Sequence, residues 1–121
     1  MQPVWLATVG IVACACFAKA QTLPLPARQP HAVAGGDFAR QISSLPLADR
    51  EQAILAEVLS GNVPEFLRRL CPITITNVAD GRTNSATFYV APDYLAVGDN
   101  EDHFLTPMTP MTAQVIADQL S

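Results

Sequence analysis

Between Leu45 and Ser60 the apolar residues Leu47, Ile54, Leu55, Val58 and Leu59 recur at the spacing of one face of an amphipathic helix. Pro46 suits the first turn, Asp49 and Glu51 lie near the positive end of the dipole, and Gly61 follows as a stop residue. A second, shorter helix is predicted over 63–70. Asn62 and Glu65 have the spacing of a capping box, and Pro64 brings a preset φ to the first turn. Arg68 and Arg69 close it at the negative end, and Pro72 disfavours helical geometry at Cys71.

At Pro72 the period changes to two. Ile73 and Ile75 alternate with Thr74 and Thr76, and Ala79-Asp80-Gly81-Arg82 carries the Asp-Gly pair of a tight hairpin turn. The return strand, about 83–91, sets Ala86, Phe88 and Val90 on one face and Thr87 and Tyr89 on the other. A corner at Pro92-Asp93 leads to a strand at 94–97, a polar turn at 98–102 and a strand at 103–106. The pattern predicts an antiparallel meander of three or four strands, covered on one face through Phe66, Leu67 and Leu70.

Thr109-Pro110 opens a C-terminal helix with an apolar stripe of Met111, Val115, Ile116 and Leu120. The chain stops at Leu120-Ser121 with no Gly, Lys, Arg or Pro to end that helix, which predicts a domain over 45–121 truncated at its C-terminus. The fold class is therefore α+β: two N-terminal helices, a three- to four-stranded meander and a C-terminal helix. At 77 residues (121 − 44) such a domain is near the size at which one core supplies only about 3–5 kcal/mol.

The first 20 residues change the picture. An apolar run from Val4 to Ala18 is closed by Ala18-Lys19-Ala20, the small-x-small pattern of a secretory signal peptide, and it falls short of the roughly 20 residues that span a bilayer. Ile11-Val12-Ala13-Cys14 supports a competing reading: it resembles a lipobox, with Cys14 as the lipid-bearing residue. Cleavage after Ala20 leaves 101 residues (121 − 20), whose formal charge is 6 − 11 = −5 against 7 − 11 = −4 for the whole chain. Six Arg, no Lys and an acidic balance argue against a nucleic-acid partner. Of the three cysteines only Cys71 would survive, so no intrachain disulfide can staple a secreted or periplasmic domain. Residues 21–44, with Pro24, Pro26, Pro30 and Gly35-Gly36 and no sustained period, read as a disordered linker; His31 stands alone in it.

Phe66-Leu67-Arg68, Pro92-Asp93-Tyr94-Leu95-Ala96-Val97-Gly98 and Thr106-Pro107-Met108, within the stretch from Gly61 to Leu120, resemble the N-terminal part of an uncharacterised family of secreted bacterial proteins. The resemblance implies secretion and a chain that continues past the last helix. It brings no catalytic residues.

Three groups of side chains have the composition of a site. Cys71 and His103 are the one thiol–imidazole pair left after cleavage, although a Cys at a helix C-terminus is badly placed for a thiolate and is more simply a bystander. Asp99-Asn100-Glu101-Asp102-His103 offers oxygen ligands and an imidazole without the spacing of a Ca²⁺ loop, and reads first as a solvated turn. Asp93, Asp102 and His103 are the residues best placed to contribute to an active site shared with a further segment. Arg68 and Arg69, with Arg82, form the third group, suited to an anionic polymer if they converge and otherwise to the helix dipole. No catalytic, metal or cofactor residue is assigned. The leading functional expectation is a non-catalytic module of a longer secreted bacterial protein, for envelope or substrate binding or structural support. It would pack against a C-terminal segment and stay off the membrane after cleavage. The alternative is the N-terminal fragment of a secreted hydrolase whose catalytic residues lie mostly beyond Ser121.

Overall fold

The computed structural model describes residues 21–121. The expected signal peptide and the lipobox-like Ile11–Cys14 stretch fall outside the described residues. In chain order the elements are α1 (Gly35–Ile42), α2 (Leu47–Leu59), α3 (Glu65–Arg68), β1 (Cys71–Ala79), β2 (Arg82–Val90), β3 (Ala96–Gly98), β4 (His103–Leu105) and α4 (Pro110–Gln119). The mixed α+β class holds. Two features differ from the sequence reading.

Among the described residues three helices, not two, precede the strands, and the extra one, α1, lies in the stretch read as disordered linker. Phe38 and Ile42 stand four apart on one face of α1 and are 2% and 4% exposed, so the segment buries enough apolar surface to hold its place. Upstream, Thr22 pairs antiparallel with Arg69, Leu70 N–H donates to Gln21 O at 2.8 Å, and Leu23 N–H donates to Arg68 O at 2.8 Å. The prolines of this segment make it extended, and extended chain is what strand pairing uses.

The sheet is not a meander. β1 pairs only with β2 and β3 only with β4, each antiparallel, giving two separate two-stranded ribbons. Between them Ala91–Leu95 turns away through Pro92, which has no N–H to continue a ladder, and β3 enters the core with Ala96, Val97 and Gly98 all buried. The core joins Phe38, Ile42, Ile54, Val58, Val63, Leu67, Ala96, Val97 and Ile116. α1 packs on β3 and β4, and α2 on β3 and α4. Leu67 belongs to this core rather than to a helix–sheet contact with β1–β2, and Phe66 is partly exposed.

The predicted turn at 79–82 is present. Asp80 and Gly81 both have positive φ (52° and 71°), the pair required by a two-residue hairpin, and Ala79 faces Arg82. The α2 stripe is partly correct: Ile54 and Val58 are fully buried, whereas Leu47 is 59% exposed. α4 behaves likewise, with Ile116 buried and Met111 and Val115 facing water. Thr109 caps α4 by accepting from Thr112 N–H, and Glu51 of α2 accepts from both Thr109 N–H (3.0 Å) and Thr109 Oγ1 (2.9 Å), locking the two helices together.

Candidate functional site

The residues that sequence chemistry singled out are engaged in holding the fold. In the turn after β3, the Asp99 carboxylate accepts from the N–H groups of Asp102 (2.7 Å) and Glu101 (2.9 Å). Those two backbone donors, helped by Arg28, hold its pKa below the usual aspartate value. Asp102 acts as a cap supplied from across the chain: Gly35 N–H donates to its carbonyl at 3.0 Å and Gly36 N–H to its carboxylate at 2.8 Å, satisfying two orphan amides of α1, which has no cap of its own. The close approach needs a glycine. A Cβ on Gly35 would lie 2.4 Å from the backbone of His103.

His103 is exposed and sets its ring edge-on to Phe66, with centroids 5.3 Å apart. Asp93 sits at the β2–β3 corner and accepts from Tyr94 N–H, and among the described residues it does not group with Asp102 and His103 as metal ligands. Cys71 and His103 begin strands of different ribbons. Among the described residues no three His, Cys, Asp or Glu side chains converge as metal ligands.

Arg68 is 8% exposed. It donates to the carbonyls of Gly61, Val63 (3.3 Å) and Leu25 (3.3 Å) and lies 3.7 Å from Glu65. It braces the N-terminal segment against the α2–α3 turn and offers nothing to an anion. Arg69 is exposed at the base of β1 and Arg82 stands at the far end of a nine-residue ladder, a separation of roughly 25 Å or more. The arginine cluster does not form.

Asn62 is also corrected. It does not cap α3, whose Phe66 N–H donates to Asn100 Oδ1 at 3.3 Å; instead Asn62, 1% exposed, accepts from Arg28 Nε (2.8 Å) and donates to Glu57 Oε2 (2.7 Å) and Val33 O (2.9 Å). Its carbonyl accepts from Gly98 N–H at 3.1 Å. This hub joins the 21–34 segment, α2 and β3. Sequence reasoning missed it because its partners lie 29 and 34 residues away.

What remains unengaged is the β1–β2 hairpin. The register places Cys71 opposite Val90, Ile73 opposite Phe88 and Ile75 opposite Ala86, so six apolar side chains share one face. The other face carries hydroxyls: Thr74 and Thr87 meet at 2.8 Å, and Thr76 and Ser85 at 3.4 Å. Such a ribbon is built to bury one side. Yet Ile73 is 41%, Ile75 56% and Phe88 43% exposed, and among the described residues no helix makes an extensive contact with the ribbon. A second apolar surface is a groove of about 410 Å³ between Tyr94, Pro107, Met108 and Ile116. No helix among the described residues is long and apolar enough to cross a membrane.

Comparison with known proteins finds no matching family model, no matching curated protein and no matching solved structure.

Proposed function

We propose that this chain is a non-catalytic interaction module of a secreted bacterial protein, and that the β1–β2 hairpin is its docking arm. The observation that carries the reading is the one-sided apolar face of that hairpin, left in water. Covering Ile73, Ile75 and Phe88, each about half exposed, contributes about 1 kcal/mol apiece, or about 3 kcal/mol for the three, enough to bias association once a partner is in place. A face of this kind on a folded body marks an interaction surface. The groove between Tyr94, Pro107, Met108 and Ile116 is the matching surface for the further C-terminal segment that the family resemblance implies. In this reading the module gives structural support to the rest of the protein and holds the arm outward.

The test is site-specific photo-crosslinking in the producing cell. A photoreactive side chain at position 73 or 88, on the apolar face, is expected to give discrete adducts with another protein, and one at position 74 or 87, on the hydroxyl face, none with another protein. Equal labelling of another protein from both faces, or no such adduct from the apolar one, contradicts the proposal.

A further inference from the structure

The edge of β1 points to the arm's first partner, and the inference rests on the reading of the hairpin as a docking arm. Leu70 N–H and Arg68 C=O both point to the 21–23 segment, with Arg69 extended between them (φ −87°, ψ 116°). Backbone groups alternate edges along a strand, so those of Thr74, Thr76 and Val78 leave on this same outer edge, while Cys71, Ile73, Ile75, Asn77 and Ala79 bond to β2. The two-residue turn agrees, since it makes Ala79 and Arg82 the hydrogen-bonded closing pair. It also explains Pro72 inside a strand: the N–H it lacks would have pointed away from β2.

Among the described residues nothing pairs with this outer edge from Pro72 to Val78. Segment 21–23 bounds it at one end and the Asp80-Gly81 turn at the other. Its midpoint is Ile75.

We propose that a second copy of this chain adds to that edge, antiparallel, about a two-fold axis at Ile75. Thr74 then meets the second copy's Thr76, Pro72 meets Val78, and Ile75 meets itself in a non-hydrogen-bonded pair. The open stretch from Pro72 to Val78 is filled, and the second copy's chain leaves the edge at its Asp80-Gly81 turn, because the position opposite Leu70 is held by Gln21. No side chain of β1 is charged, so no like charges meet. The product is one four-stranded sheet in the order β2-β1-β1-β2. The two apolar faces lie on the same side of it, doubling the surface offered to the next partner.

The test uses the exported, purified protein. With Cys71 replaced by Ser, Ile75→Cys is expected to oxidise to a covalent dimer, and Ile73→Cys, which faces the second copy's Asn77, is not. In sedimentation velocity Ile75→Lys and Ile75→Glu are each expected to be monomers, and their equimolar mixture to restore the dimer. Equal crosslinking at 73 and 75, or a monomeric wild-type chain up to about 100 µM, overturns the second copy as partner. Should a charged variant lose the hairpin's circular dichroism, the cysteine comparison alone decides. Failure here with apolar-face photo-adducts to another protein leaves the docking arm standing, and absence of those adducts with a crosslinked dimer sinks the wider reading alone, so the two outcomes are distinguishable.

Discussion

Replacing Asn62 by Ala removes the polar hub between Arg28, Glu57 and Val33. Two of its side-chain bonds are to charged groups, Arg28 Nε at 2.8 Å and Glu57 Oε2 at 2.7 Å, and a third, at 2.9 Å, is to the Val33 carbonyl. A hydrogen bond to a charged group is worth about 1.5–3 kcal/mol. Both charged partners are part-buried and regain some water when Asn62 goes, so the lower end applies, about 1.5 kcal/mol each. The total is about 3 kcal/mol, a large share of the roughly 5–15 kcal/mol that holds a domain. Urea unfolding followed by circular dichroism measures it, and the midpoint of thermal unfolding is expected to fall by roughly 15 °C. A double-mutant cycle with Arg28→Ala should return a coupling of about 1 kcal/mol. A loss below about 1 kcal/mol, or additive effects of the two substitutions, refutes the hub.

Asp102→Ala strips the cap from α1 and is expected to cost about 1 kcal/mol in the same urea assay, with amide exchange rising first at Gly36; an unchanged midpoint would show that the cap does nothing. Gly35→Ala forces a Cβ against the His103 backbone and is expected to cost about 1–3 kcal/mol, where a free surface glycine would gain stability from the same change. Leu67→Ala, in the core at 0% exposed, should cost about 2–5 kcal/mol. Glu51 titrates below its usual value of 4.5, held there by the hydroxyl of Thr112 and by the N–H and hydroxyl of Thr109. Its ionised form is favoured by folding, so its contribution is complete above pH 4.5 and is lost as pH falls through the lower folded value. The stability gap between wild type and Glu51→Gln should therefore be widest near neutral pH and close in acid; a gap constant with pH contradicts the assignment.

The hairpin was legible because alternation and the Asp80-Gly81 turn are local signals, and they identified the turn and which residues of each strand share a face. What the pattern could not carry was the cover. Amphipathicity says that a face is apolar, not that anything packs on it, and the expectation that Phe66, Leu67 and Leu70 would do so failed because Leu67 is claimed by α2 and β3. α1 escaped notice since eight residues hold only Phe38 and Ile42 as an apolar pair, and its cap, Asp102, comes from 66 residues downstream. Long range likewise hides the role of Asp102 and the bond from Arg68 to Leu25, 43 residues away, whereas Asp99 bonds locally to Glu101 and Asp102. Their residue types suggest ligands and anion sites; their neighbours, known only in three dimensions, make them caps and braces.

The central claim, that the apolar side of the β1–β2 ribbon stands outside the core, is tested most directly by Phe88→Ala. With only Ile73 as a cross-strand partner, the variant is expected to lose no more than about 1 kcal/mol in urea unfolding. A loss of about 3–5 kcal/mol, the value for a phenylalanine in a packed interior, would mean that the face is covered within the folded chain.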